Sequence, residues 1–412
     1  MNKAESSGIS DQLDSLGFQR VKNFKEADLM ILNTCVVRQS AEDKVRGMLG
    51  YLKGIKAERP DMRIAVTGCF VGDELKELSH KFPQVDFFCK PGQIEPLRDW
   101  LSADSLTQSG QIGRPSAGAT PVSAYIPIIQ GCDNFCSYCI VPFRRGREIS
   151  RQPAGIVEQA ENLVEQGARE IVLLGQNVNA YGKDLADGTD LAGLLAVLNP
   201  INGLSRIRFL TNHPMDMSAG LMHSIGTLDK VCHHICLPLQ SGDNRTLKAM
   251  NRHYTYNHYR SIIDHLRKEV PDIAVSTDII VGFPGETEEG FMNTFRAIEE
   301  TCFASVHVAA YSVRPGTSAA EKYEDNVLYE TKMQRMHKIE ALQRGILEKA
   351  NGQLVGGIVE VLVEDMKGGK WYGRTYSDKP LFFEAKGDFA GKLVRVEVIS
   401  STPWSLQGKL VH

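Results

Sequence analysis

Two kinds of hydrophobic pattern divide the chain. Up to about residue 351, short apolar runs of about 4–8 residues alternate with longer stretches whose apolar positions recur every three or four residues, which is the signature of strand followed by helix. Beyond that point the pattern changes to short alternating runs separated by glycine-bearing turns. The first region breaks again near its middle. Residues 103–121 lack any period and are rich in Ser, Gly, Thr and Pro, so a linker is expected there.

Before the linker, strands are predicted at Asp28 to Asn33, Arg63 to Thr67 and Val85 to Phe88, with amphipathic helices near 38–57 and 92–102. This predicts a small open α/β domain. Two of its strands run directly into cysteines, Asn33-Thr34-Cys35 and Thr67-Gly68-Cys69. Ligands of open α/β sheets bind at the carboxyl ends of strands, so both thiols are expected on one rim. After the linker, strands are predicted at Tyr125 to Ile129, Glu170 to Leu174, Arg206 to Leu210, His233 to Leu237, Ile273 to Ile280 and Ala304 to Ala309, with a closing helix from Leu328 to Asn351. Six βα units make a partial (β/α)6 barrel, with a six-stranded open sheet as the alternative. The final pattern gives strands at Gly357 to Asp365, Lys370 to Tyr376, Leu381 to Ala385, Lys392 to Ile399 and Trp404 to Val411, a small β-barrel of OB size. The expected fold class is therefore multidomain α/β, with domains at 1–104, 118–349 and 350–412 and a linker at 105–117.

Composition narrows the class. The 412 residues suffice for two or three cored domains, and no apolar run is long enough for a bilayer. The chain opens Met1-Asn2-Lys3-Ala4-Glu5 without an apolar signal core, and its nine cysteines are scattered, which argues against a disulfide framework and for the reducing cytoplasm. A net charge of −3 gives no general attraction to nucleic acid. Any polyanion site must be local, and the densest candidate is Arg144, Arg145, Arg147 and Arg151. A solvated basic turn or internal ion pairs are the plainer reading of the same four residues. Residues 353–412 hold eight Lys or Arg against seven Asp or Glu, so charge does not separate an RNA-binding barrel from a structural one.

The chemistry is concentrated in Gly131-Cys132-Asp133-Asn134-Phe135-Cys136-Ser137-Tyr138-Cys139, a C-x3-C-x2-C loop just after the first barrel strand. Three thiolates can hold an iron–sulfur cube and leave its fourth iron open to another ligand. Structural zinc would need a fourth ligand, and no Cys or His follows Cys139 before His213. Inert core cysteines are a poor match for the polar neighbours Asp133, Asn134 and Ser137. Cys232, Cys236 and Cys302 sit among apolar residues and read as core, while His213, His233 and His234 read as hydrogen-bonded structure.

Cys132, Cys136 and Cys139 ahead of six βα units resemble the signature of the radical S-adenosylmethionine superfamily. The whole chain resembles its methylthiotransferases, and most of all those that act on N6-isopentenyladenosine in tRNA. The stretches that carry this are Cys139-Ile140-Val141-Pro142-Phe143, Leu174 to Leu185 (Leu-Gly-Gln-Asn-Val-Asn-Ala-Tyr-Gly-Lys-Asp-Leu), Thr211-Asn212-His213-Pro214, Leu237 to Gly242 and Thr277 to Thr287. The resemblance implies an N-terminal methylthiotransferase domain, a radical core and a C-terminal TRAM domain. It also implies S-adenosylmethionine chelated by the open iron and tRNA as partner, with an electron donor and a sulfur source, and no membrane. Under it, Gly175, Gln176 and Asn177 hold the methionine moiety, Gln240 and Ser241 the ribose, and Gly282 and Phe283 the adenine; plain turns are the alternative for each. A 5′-deoxyadenosyl radical would take hydrogen from adenine C2, and a second S-adenosylmethionine would supply the methyl group.

The family carries an auxiliary 4Fe-4S cluster on three N-terminal cysteines, of which Cys35 and Cys69 match the second and third. The first belongs to a Gly-Cys-Gln-Met-Asn motif, and this sequence opens at Met1-Asn2, where the motif ends. Truncation at an internal methionine is therefore expected, with the auxiliary cluster poorly held; Cys89 is spare but out of register. Two sister groups, acting on threonylcarbamoyladenosine in tRNA or on a ribosomal-protein aspartate, differ at Gln176-Asn177-Val178-Asn179. A non-enzymatic RNA-binding metalloprotein is the remaining alternative.

Overall fold

The fold is that of a computed structural model, which describes all residues except 22, 37–38, 73, 104–119 and 412. The expected linker at 105–117 lies outside the described residues. Two compact units emerge, one of residues 1–118 with 130–135 and 139–147, the other of 119–129, 136–138 and 148–412.

In the first unit, β1 (Leu29–Thr34), β2 (Arg63–Gly68) and β3 (Phe87–Phe88) form a parallel sheet in the order β1-β2-β3. The period-2 alternation of β2 sends Ile64 and Val66 to one face and Ala65 to the other. Ile64 and Val66 pack with Leu49, Leu52 and Ile55 of the helix Gln39–Glu58. Ala65 packs with Ile9 of the helix Asn2–Ser15 and with Leu97 and Leu101 of the helix Ile94–Ala103. Burial on both faces explains the continuous apolar run in the sequence. β3 is shorter than predicted because the Asp86 carboxylate accepts from Ile64 N (2.7 Å), taking the place of a ladder partner.

The second unit holds β4 (Ser123–Pro127), β7 (Glu170–Leu174), β8 (Arg206–Leu210), β9 (His234–Cys236), β10 (Ala274–Val281) and β11 (Ser305–Ala310). Between β4 and β7 the short pair β5 (Ile129–Gln130) and β6 (Ile149–Ser150) brackets the cysteine segment. The sheets β4-β7-β8 and β9-β10-β11 are parallel throughout and meet at a single bridge, Ile207 to Val231. Six strands with helices outside them form the partial barrel predicted. Helices that follow strand ends start on side-chain caps, such as Ser218 to Leu221 N, Asp243 to Thr246 N and Thr287 to Gly290 N, each satisfying an orphan amide. The closing helix runs Tyr329–Gly352. Cys302 departs from the core reading: it is exposed, at φ +50° just after the helix Glu288–Thr301.

In the same unit, β12 (Ile358–Lys367), β13 (Lys370–Thr375), β14 (Pro380–Glu384), β15 (Leu393–Ser401) and β16 (Leu406–Leu410) close a barrel in the order β12-β13-β14-β16-β15. Gly368 and Gly369, at φ +58° and +79°, make the tight β12–β13 turn that other residues would strain. This barrel is seated on the strand-start end of the partial barrel. Arg206 donates to Arg374 O (2.6 Å) and Arg208 to Thr375 O (2.7 Å), while the Tyr376 hydroxyl donates to Val231 O (2.5 Å). Beneath lies a buried charge network in which Glu170 pairs with Arg208 (2.7 Å) and with Arg374, and Arg374 pairs with Asp378 (2.8 Å).

Candidate active site

The cysteine loop is shaped by its backbone. Gly131 stands at φ +81°, and a Cβ there would lie 1.9 Å from Arg147 O, so only glycine lets the loop pass. Cys132 N donates to Gly146 O (3.2 Å), and Asn134 Nδ2 donates to the Cys132 sulfur (3.4 Å). Cys136 and its followers are held by the second unit: Ser137 N donates to Met250 O (2.9 Å), and Tyr138 packs against Met250, Phe283, Tyr311 and Ala319. The Cys136 sulfur accepts from Arg252 Nη1 (3.2 Å). Arg252 is buried and also donates to Tyr254 Oη (2.9 Å) and Pro238 O (3.2 Å). Burial opposes its charge, yet its tyrosine and sulfur neighbours keep it well above the ordinary arginine value. A cationic donor on a cysteine sulfur favours the thiolate, the form that ligates iron.

The rim at the carboxyl ends of the strands supplies polar atoms that the protein leaves unsatisfied. Among the described residues, Asn177 Oδ1 after β7, Asn212 Oδ1 and His213 Nε2 after β8, Gln240 Oε1 after β9 and the Tyr311 hydroxyl after β11 are all buried without a partner. Buried polar atoms are rarely left so, and a row of them along one rim fits a polar ligand such as the amino-acid and ribose groups of S-adenosylmethionine. Three thiols on one loop are the donor set of an iron–sulfur cluster. Among the described residues no three His, Cys, Asp or Glu side chains converge on a single metal ion.

Individual candidates differ in what they present. Gly175 is a place of close approach, where a Cβ would meet Ile129 Cγ2 at 2.4 Å. Gln176 beside it is half-buried. Asn177 spends its amide on Asp216 (2.7 Å) and Glu148 (3.3 Å) and keeps only its oxygen. Gln240 sits at φ +68° with its amide oxygen available, whereas the Ser241 hydroxyl is fully buried against Thr294 (3.1 Å) and Asp243 N (3.2 Å). Gly282, at φ +69°, donates to Glu286 (2.7 Å), which is in turn paired with Arg335 (2.8 Å). Phe283 is buried edge-on to Tyr311, with ring centroids 5.1 Å apart.

In the first unit, Thr34 pairs with Gly68 at the ends of β1 and β2, so Cys35 and Cys69 leave adjacent strands side by side. Gly68 permits this, since a Cβ would lie 2.3 Å from Thr34 O. Arg145 reaches the Cys69 sulfur (3.2 Å) while paired to Glu5 (2.5 Å). Burial pushes the Cys69 thiol up, with Arg145 pulling the other way. Arg145 is thus committed inside the unit. Arg147 pairs with Asp133 (2.8 Å) but is largely exposed, and Arg151 donates to Pro127 O (2.7 Å) and Gln159 (2.8 Å). Among the described residues no carboxylate pairs with Arg144, whose Nε is buried without a partner. Cys89 donates to Gln93 O (2.6 Å) within the apolar cluster of Ile9, Leu97 and Leu101.

The radical SAM superfamily model matches residues 126–298, an uncharacterised family, UPF0004, matches 1–90, and the TRAM domain matches 352–411. Proteins named tRNA-2-methylthio-N(6)-dimethylallyladenosine synthase align along the whole chain. That of Dehalococcoides mccartyi is 43% identical over 412 residues, covering 100% of this chain and 96% of its own. That of Dictyoglomus thermophilum is 43% identical with the same coverages, and that of Herpetosiphon aurantiacus 41%, with 95% of its length covered. The chain belongs to the radical S-adenosylmethionine methylthiotransferase family. Among solved structures, the radical S-adenosylmethionine methyltransferase TsrM of Kitasatospora setae shares the fold, with a TM-score of 0.54 at 15% identity over 77% of this chain and 67% of that one.

Within this methylthiotransferase, sequence reasoning missed Arg252, Tyr311 and the pair Lys332 and Arg335. Lys332 donates to Tyr311 O (3.2 Å) and covers Gly282, while Arg335 braces Glu286. Their signal in the sequence is slight. Arg252 follows Asn251 at φ +56°, a conformation that only the three-dimensional turn reveals.

Proposed function

We propose that this methylthiotransferase places a methylthio group on C2 of N6-isopentenyladenosine in a tRNA anticodon loop. The observation that carries this is the Cys132-Cys136-Cys139 loop in a chain that aligns end to end with the named synthases, and the strand ends of the second unit add buried polar atoms left unsatisfied. Cys132, Cys136 and Cys139 would hold a 4Fe-4S cluster, and Asn177, Gln240 and the Gly282-Phe283 turn would hold S-adenosylmethionine. Bound together, these groups supply one-electron chemistry able to break an inert C–H bond. The protein's own part is to orient. Arg252 fixes the Cys136 thiolate, Glu286 and Arg335 hold the Gly282 turn, and the apolar cluster around Phe283 excludes water.

Cys35 and Cys69 are the candidate ligands of the auxiliary cluster and the point at which sulfur from an external source would enter. Iron and sulfide analysis tests the assignment: about eight irons per chain would fit two clusters, and about four the Cys132-Cys136-Cys139 cluster alone. An electron donor is also required. Among the described residues no helix is long and apolar enough to cross a membrane; a tRNA substrate would be met in the cytoplasm. Nucleoside analysis of tRNA from cells lacking the gene tests the substrate. Loss of the methylthio group with the isopentenyl group retained is expected; an unchanged methylthio level would sink the reading.

A further inference from the structure

From the first unit we infer a nucleotide subsite, built by Phe135, Phe143 and Arg147 at the mouth of a cation-lined cavity, that takes a single-stranded RNA nucleotide flanking the modified adenosine. The inference rests on the tRNA reading above and deepens it.

Phe143 is 50% exposed and Phe135 39%. Their rings meet edge to face at 6.1 Å, and the Arg147 guanidinium lies 5.5 Å from the centre of the Phe135 ring. Exposed aromatics beside an arginine are the means by which proteins stack unpaired bases. Phe143 also lines a cavity of about 320 Å³, with Lys90, Arg144 and Gln93 among its walls. Among the described residues no carboxylate lines it. Arg144 is laid against Gly72, where any Cβ would fall 1.5 Å from its Nη1, and among the described residues it has no ion-pair partner. The cavity has room for one phosphate and ribose, at the lower end of the roughly 300–1,000 Å³ of small-ligand sites. A base on the rings with its phosphate between Lys90 and Arg144 satisfies both halves. Duplex RNA cannot, because its bases are stacked and its reach is set by the helix surface. Phe135 lies within the cluster loop itself, between Cys132 and Cys136.

The test uses the reconstituted full-length protein and an anticodon stem-loop carrying 2-aminopurine beside the modified adenosine. Wild type should bind it and quench the fluorophore by stacking. Phe143→Leu keeps apolar bulk without a ring and should weaken binding about ten- to a hundred-fold with the quench lost, whereas Phe143→Trp should retain both. Lys90→Ala and Arg144→Ala should each lower the salt dependence of binding by about one phosphate contact. No binding by wild type overturns the tRNA reading itself. Binding by wild type with Phe143→Leu indistinguishable from it overturns the subsite alone, as does a loss confined to the two cation variants.

Discussion

Glu170 is 1% exposed, accepts from Arg208 Nε (2.7 Å), pairs with Arg374 and accepts from the Ser123 hydroxyl (2.9 Å). Replacing it with Gln keeps the shape and removes the more deeply buried of the two carboxylates, Glu170 and Asp378, that Arg208 and Arg374 share. Breaking a buried pair by removing one partner costs about 3–5 kcal/mol, or roughly two to three and a half decades in the folding equilibrium. The loss here should fall at that end of the scale, because Arg208 is as buried as Glu170 and its other acidic neighbour, Asp378, is farther away at 3.4 Å. Two of the three tryptophans, Trp371 and Trp404, lie in the C-terminal barrel, so urea unfolding followed by fluorescence reports on the element the network secures. A companion variant with Glu170, Arg208 and Arg374 made apolar and their remaining partners Glu364 and Asp378 made amides should recover much of the loss, since a buried network replaced whole is often neutral. An unchanged midpoint in Glu170→Gln would show that the network does not hold the barrel.

The pH dependence has a defined sign. His234 is buried and pushed down to about 4, so the unfolded chain takes up its proton first, and stability should fall by on the order of 3 kcal/mol between about pH 6.5 and 4, with His234→Asn flattening that slope. Glu170 is opposed by burial but held below its ordinary value by Arg208 and Arg374, so its stabilisation is present above the usual carboxylate range and is lost on further acidification; Glu170→Gln should remove that acid limb. Gly282→Ala puts a Cβ 2.2 Å from Lys332 Cγ at φ +69°, and calorimetric titration should show S-adenosylmethionine binding weakened about ten- to a hundred-fold, only partly relieved by adding Lys332→Ala. Arg252→Met removes the donor to Cys136, so a redox titration followed by EPR should place the cluster at a more negative potential; an unmoved potential would exclude a tuning role.

Much of the architecture was legible because strand and helix periods are local. β7 and β8 begin and end where their apolar runs do, and the C-terminal barrel announced itself in five alternating runs. The site was legible wherever chemistry follows chain order, as in Cys132, Cys136 and Cys139. It was opaque wherever partners are remote. Glu170 and Arg206 look like polar strand starts until Arg374, two hundred residues on, is folded against them. Ser241 reads as a ribose donor until Thr294 takes its hydroxyl, and Arg145 reads as one of four basic residues until Glu5 and Cys69 claim it. A charge run in sequence states composition; which charges face solvent is a property of the packing.

Arg145 also sets a length. It closes the helix Val141–Arg145, six residues after Cys139, and a helix rises about 1.5 Å per residue, so less than two turns and one side chain link the Cys139 backbone to the Cys69 sulfur. The short rigid segment works as a gauge rod between the two sulfur sites. Atoms held at Cys69 and at Cys139 cannot separate without bending that helix or breaking the guanidinium contact. Any repositioning at one thiol is transmitted as a push or pull on the loop that carries the other.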